Sequence, residues 1–189
     1  MHKDIKEVLI TEQEIKKRIK ELGKEIKEKY KDKFPLFVCI LRGAFMFLSD
    51  LAREVDIPIS IDFMAISSYG GKTESSGQVK ILKDLDTSIE GRNVLIIEDI
   101  VDSGLTMDAV TRLLKTRKPK SISICTLLNK QERRKIKIDV DFYGFNIPNR
   151  FVVGYGLDYE EKYRNLQYIG VLKEEIYQGG LNNNNEPTK

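Results

Sequence analysis

Ile15, Ile19, Leu22 and Ile26 recur at helical spacing, so one face of a helix is apolar. Just upstream, Thr11 and Glu14 stand where a threonine hydroxyl and a glutamate carboxylate close off the free N–H groups of a helix start. The opposite face carries Lys16, Lys17, Lys20, Lys24 and Lys27 among Glu21, Glu25 and Glu28. Acids this dense make it a solvated outer face, not a basic surface for nucleic acid. After this helix the apolar residues stop alternating with polar ones and come in unbroken runs. "LFVCIL" reads as a buried strand, Arg42-Gly43-Ala44 as a turn, and "FMFLSDLAREV" as a helix that Pro58 breaks.

Residues 59–66, "ISIDFMAI", predict a second strand, and "VKILKDL" another beyond a loop. Residues 94–98 predict a strand, residues 106–117 a helix stopped by Pro119, and "SISICTLLN" the next strand. "VDFYGF", "FVVGY" and "YIGVL" give three shorter strands. Strand and helix alternate, and the central strands are apolar on both faces. That predicts an α/β fold with a mostly parallel central sheet flanked by helices. No internal repeat or linker divides residues 1–178, which read as a single domain large enough for a sizeable core. Residues 179–189, "GGLNNNNEPTK", are low-complexity and expected to be mobile.

Residues 67–78, "SSYGGKTESSGQ", are polar, glycine-rich and long for a loop inside a compact domain, and Tyr69 is their one aromatic. Loops of this length tend to be functional or disordered.

Composition removes several chemistries. The only histidine is His2, near the chain start, so there is no Ser-His-Asp triad, Cys-His pair or histidine zinc site. A metal would be held by oxygen, which favours Mg²⁺. The net charge of +3 gives no whole-molecule pull on nucleic acid. Cys39 and Cys125 sit inside apolar runs, as reduced buried thiols of a cytoplasmic protein would. No apolar run approaches a membrane span.

The most unusual stretch is "VLIIEDIVDSGLTM". A buried apolar strand ends on Glu98 and Asp99, and Asp102, Ser103, Gly104 and Thr106 follow before a helix. Carboxylates are costly to take out of water unless something binds them. In an open α/β sheet, ligands sit at the carboxyl ends of the strands. Free N–H groups at a helix start favour phosphate, Ser103 and Thr106 add hydroxyl donors, and Gly104 permits positive φ. Carboxylates suit hydroxyl groups or a bridging metal, so a ribose 5-phosphate matches both halves. Read without a ligand, the same residues are only a helix cap and a turn.

This stretch closely resembles the 5-phosphoribosyl-1-pyrophosphate (PRPP) motif of the phosphoribosyltransferases. "LRGA", "SSYG" and "FVVGYGLDYEEKYR" extend the likeness to the purine-salvage branch that uses hypoxanthine and guanine. The resemblance implies the type I phosphoribosyltransferase fold, with a small hood and a flexible lid loop. It implies transfer of the 5-phosphoribosyl group to N9 of either base, giving IMP or GMP and pyrophosphate. Glu98 and Asp99 would hold the ribose hydroxyls, partly through Mg²⁺, and Asp102, Ser103, Gly104, Leu105 and Thr106 the 5′-phosphate. Asp102 would also serve purine N7 as general acid/base. Leu41, Arg42, Gly43 and Ala44 would bind pyrophosphate through a loop with a cis Leu41–Arg42 peptide, joined by Arg164. Ser68 and Tyr69 would ride the lid. Lys130 would reach the 6-oxo group, Phe151 would stack on the base, the Val152 backbone would bond its edge, and Asp158 would hold a second Mg²⁺ through water. The family forms dimers and tetramers, so a homodimer or homotetramer is expected, with no nucleic-acid or membrane partner. Arg42, Ala44 and Leu105 depart from the Lys, Gly and Lys of some relatives, so the phosphate grip should rely more on backbone N–H groups.

Standing alone, several of these residues have plainer readings. Phe151 would be core, Lys130 a solvated loop cation, Asp158 a turn acid, and Arg164 the partner of Glu160 or Glu161. A regulator on the same fold that binds PRPP and RNA is the rival from another class. It would need a basic RNA-facing surface.

Overall fold

The computed structural model describes residues 2–68 and 79–178. Tyr69, the rest of the predicted lid up to residue 78, and the tail from residue 179 lie outside the described residues. The chain enters through β1 (Ile5–Ile10) and α1 (Glu12–Tyr30). Thr11 caps α1 as its sequence predicts. Its hydroxyl accepts from Glu14 N at 3.3 Å, and Glu14 Oε2 accepts from Thr11 N at 2.8 Å. Ile15, Ile19, Leu22 and Ile26 are all buried.

The chain continues through β2 (Leu36–Leu41), α2 (Phe45–Glu54), β3 (Ser60–Ser68), β4 (Val79–Lys83), β5 (Asn93–Val101), α3 (Leu105–Lys115), β6 (Ser121–Asn129) and β7 (Phe142–Asn146). β8 (Val152–Val153), β9 (Ile169–Leu172) and α4 (Glu174–Gln178) follow. The central sheet has the order β4-β3-β2-β5-β6-β7. Its pairs are parallel except for β4, which runs antiparallel to β3. Phe37, Cys39, Leu95 and Ile97 pack toward α1 and α2 on one face. Val38, Val94 and Ile96 pack toward α3 on the other. The two-sided apolar runs are thereby explained.

β1, β9 and β8 form a separate antiparallel sheet, the hood, whose Ile10, Val152, Ile169 and Val171 join the core cluster beside α1 and α2. Among the described residues no helix is long and apolar enough to cross a membrane.

Several boundaries differ from the sequence reading. β5 does not end at Glu98. It stays paired with β6 through Ile100↔Leu128 and Val101↔Asn129, so Glu98 and Asp99 lie inside a strand. β3 runs on through Ser67 and Ser68, which the sequence places in the loop. β8 is only two residues long. β1 and α4 have no counterpart among the predicted elements. β1 reads "IKEVLI" and buries chiefly its two end residues, with irregular register against β9, so neither strand period is visible in it.

Candidate active site

Glu98 and Asp99 are carried by β5, between β2 and β6. Glu98 is only 9% exposed. Burial, and next the neighbouring Asp99 charge, push its carboxyl well above the usual range. Burial raises Asp99 as well, against hydrogen bonding and the more distant Arg164 charge. The partners they have are each other and nearby amides. Asp99 N donates to Glu98 Oε1 at 3.2 Å, and Ile100 N to Asp99 Oδ1 at 2.7 Å. Two buried carboxylates side by side repel, and they favour a ligand that brings positive charge or hydroxyl donors.

The turn after β5 opens beside them. Gly104 has φ 83° and starts α3. A Cβ there would press at 3.0 Å on Arg134 and 3.1 Å on Ile138, a tight fit, and the positive φ itself favours glycine. No side chain of Gly104 can cap α3, so its first N–H groups face the turn. Glu98, Asp102, Ser103, Gly104 and Thr106 line a cavity of about 210 Å³ here. A larger one, about 330 Å³, lies around Phe34 and Arg92 near the opposite end of β5. None of the motif residues lines it, and the smaller cavity holds the chemistry.

Asp102 Oδ2 accepts from Arg133 at 3.3 Å, while Oδ1 is buried and has no hydrogen-bond partner among the described residues. Lys130 is only 6% exposed. Burial pushes its ammonium below the ordinary lysine range, and the Asp102 charge opposes that shift. The segment carrying Lys130 is fastened to the turn. Lys130 N donates to Val101 O and Lys135 N to Ser103 O, each at 3.0 Å.

The 41–44 turn and the 154–164 segment close the site from the other side. The Leu41–Arg42 peptide is cis, as the resemblance implies. A Cβ on Gly43 would land on the Asp99 carboxylate, and one on Gly156 would land on the Gly43 carbonyl. Two glycines thus let three backbone segments meet. Gly156 O accepts from Arg164 at 2.8 Å. Arg164 also pairs with Asp158 at 2.8 Å and Glu161 at 3.6 Å, and Glu161 reaches Arg42 at 2.9 Å. Arg164 therefore pairs with Glu161 rather than Glu160, and with Asp158 before either. Phe151 is not core. It is 38% exposed, stacked 4.8 Å from Tyr177 and edge-on to Tyr159 at 5.6 Å. Val152 is buried in the hood beside it.

A model of the phosphoribosyl transferase domain matches residues 7–160. The chain belongs to the phosphoribosyl transferase family. It is 57% identical over 94% of its length to a hypoxanthine-guanine phosphoribosyltransferase of Bacillus subtilis, 99% of which is covered. A bifunctional protein of Listeria monocytogenes is 54% identical over 94% of the chain, which there spans 27% of the relative's length. Among solved structures, a hypoxanthine phosphoribosyltransferase of Staphylococcus aureus superposes with a TM-score of 0.91 at 54% identity, covering 94% of this chain and 96% of that one.

For a phosphoribosyl transferase the donor chemistry fits Mg²⁺. Among the described residues no three metal-type side chains converge, but Mg²⁺ is ordinarily held by one or two carboxylates with substrate oxygens completing the shell. Glu98 and Asp99 supply such a pair, and Asp158 stands apart against Arg164. Three contributors escaped the sequence reading. Gly156, Arg133 and Tyr177 act through contacts with distant residues, and only the glycine spacing of "GYG" hinted at the first.

Proposed function

We propose that this chain transfers the 5-phosphoribosyl group of PRPP to N9 of hypoxanthine or guanine, releasing pyrophosphate. The observation that carries this reading is the buried Oδ1 of Asp102, which has no hydrogen-bond partner among the described residues. It sits between the α3 turn, which suits a 5′-phosphate, and Lys130, which suits a 6-oxo group. An acceptor left bare in such a place is ready for a proton on purine N7.

The remaining groups divide the work. Glu98 and Asp99 orient the ribose hydroxyls, and with substrate oxygens they would hold Mg²⁺, which would neutralise charge growing on pyrophosphate. Ser103, Gly104, Leu105 and Thr106 hold the 5′-phosphate chiefly through backbone N–H groups. Leu41, Arg42 and Gly43 receive pyrophosphate, with Arg164 beside them. As the C1–pyrophosphate bond breaks, the Arg164 guanidinium and the Arg42 backbone N–H stabilise the leaving oxygens. Asp102 manages the N7 proton while N9 attacks C1. Lys130, the Phe151 ring and the Val152 backbone fix the base. Asp158 anchors Arg164 and would hold a second Mg²⁺ through water. Ser68 and Tyr69 belong to the segment assigned to excluding water from the reactive sugar. A homodimer or homotetramer is the proposed assembly, and the purified protein's mass by light scattering tests it.

Steady-state kinetics with PRPP and a panel of bases, on the parent and on Asp102→Asn, test the assignment. The substitution keeps shape and removes the proton acceptor. We expect kcat for hypoxanthine to fall roughly 10²-fold or more, with PRPP affinity much less affected. An unchanged kcat in a chemistry-limited step removes Asp102 from the mechanism. A parent that turns over no 6-oxopurine defeats the reading altogether.

A further inference from the structure

Phe151 is an exposed aromatic in a segment that is otherwise buried up to Leu157. A lone ring at a strand entrance would swing between rotamers, and ordering it on binding costs entropy. Two tyrosines prevent this. Tyr177 lies against one face, with centroids 4.8 Å apart and planes 16° from parallel. Tyr159 meets the ring edge-on, at 5.6 Å and 85°. Tyr177 comes from α4, whose Ile176 and Tyr177 pack on a hood cluster of Ile5, Val153, Tyr163 and Leu172. The last helix thus reaches across the hood and covers one face of Phe151, while the ring as a whole stays 38% exposed.

We infer that Tyr177 is a positioning residue for the base. It holds the Phe151 ring so that its other face receives a planar 6-oxopurine, and the bound state is a three-layer stack of tyrosine, phenylalanine and purine. The inference rests on the reading of Phe151 as the base platform. Stacking is insensitive to the tyrosine hydroxyl, which makes no hydrogen bond among the described residues, so phenylalanine should serve equally well. An aliphatic side chain of similar bulk should fill the space on α4 without supplying the flat surface.

The test is initial-rate kinetics on Tyr177→Ala, Tyr177→Leu and Tyr177→Phe, varying hypoxanthine at saturating PRPP and then the reverse. For Ala and Leu we expect KM for hypoxanthine to rise about three- to tenfold, the range of one aromatic pair. KM for PRPP and kcat should change by less than about twofold, and Phe should match the parent. The chain has no tryptophan, so Tyr177→Trp adds a single indole, whose emission should shift on adding IMP and not on adding pyrophosphate. An unchanged KM for hypoxanthine, equal rises for both substrates, wholesale loss of activity in the Leu variant, or failure of Phe to match the parent overturns the inference while leaving the enzyme reading intact. A parent inactive on every 6-oxopurine sinks both.

Discussion

Replacing Lys130 asks how the site tells one purine from another. The ammonium carries three donors and no acceptor. The residue is 6% exposed, burial holds its proton less firmly than usual, and among the described residues its Nζ makes no hydrogen bond. In the proposed site a 6-oxo group would supply the missing acceptor, whereas the 6-amino group of adenine would set donor against donor. Leaving a buried polar group unpaired costs about 1–3 kcal/mol, and more when it is charged. That is on the order of tenfold to a few hundredfold in kcat/KM against adenine. Lys130→Met, which keeps the stem, and Lys130→Ala should lower kcat/KM for hypoxanthine and guanine by at least about tenfold and leave adenine nearly where it was. The pH profile has a definite sign. Because burial depresses the lysine pKa, discrimination should fade on the alkaline side before an exposed lysine would titrate. The assay is kcat/KM for hypoxanthine, guanine and adenine on all three proteins across that range. A parent that uses adenine as well as hypoxanthine refutes the role of Lys130.

Three other outcomes follow from the packing. Gly43→Ala puts a methyl group onto the Asp99 carboxylate, so it should lower kcat/KM roughly 10²-fold through displacement alone; full activity would mean that the two segments separate freely. Asp62 is 4% exposed and accepts from the amides of Phe63, Asp86 and Thr87, so Asp62→Ala should destabilise by about 3 kcal/mol or more, read by urea unfolding. Arg117 holds Asp84 through two 2.8 Å bonds and lowers its pKa. That contribution is present above the unfolded carboxylate value and lost as pH falls through the folded one. The pair is half-exposed, so Arg117→Gln should cost at most about 1 kcal/mol at neutral pH, and the gap should close in acid; a gap that widens there contradicts the pairing.

Where local pattern and tertiary environment agree, the chain is legible. "LFVCIL" and "SISICTLLN" are strands because they are buried on both faces, and the Thr11–Glu14 cap is a purely local device. Legibility fails where function breaks the pattern. Asp99 looks like the end of β5 because carboxylates rarely sit inside a buried strand, yet the ladder continues to Val101. β1 is hidden because its charged middle faces out and only its pairing with β9 makes it a strand. At the site, "EDIVDSG" could be read because its parts are neighbours in sequence. The Arg133–Asp102 pair and the Tyr177–Phe151 stack could not, since each joins segments brought close only by the folded hood or the turn after β6.

The two bonds from Lys130 N and Lys135 N to the turn after β5 bear on redesign. A graft that swapped residues 130–135 alone, to import another base preference, would have to reproduce both donors or leave the carbonyls of Val101 and Ser103 without partners. It would also have to respect the gap at Gly104, where Arg134, Ile136 and Ile138 crowd the space a side chain would need. The portable cassette is therefore the whole stretch 98–138, α3 and β6 included. Libraries that vary residues 130–135 should carry the turn after β5 with them.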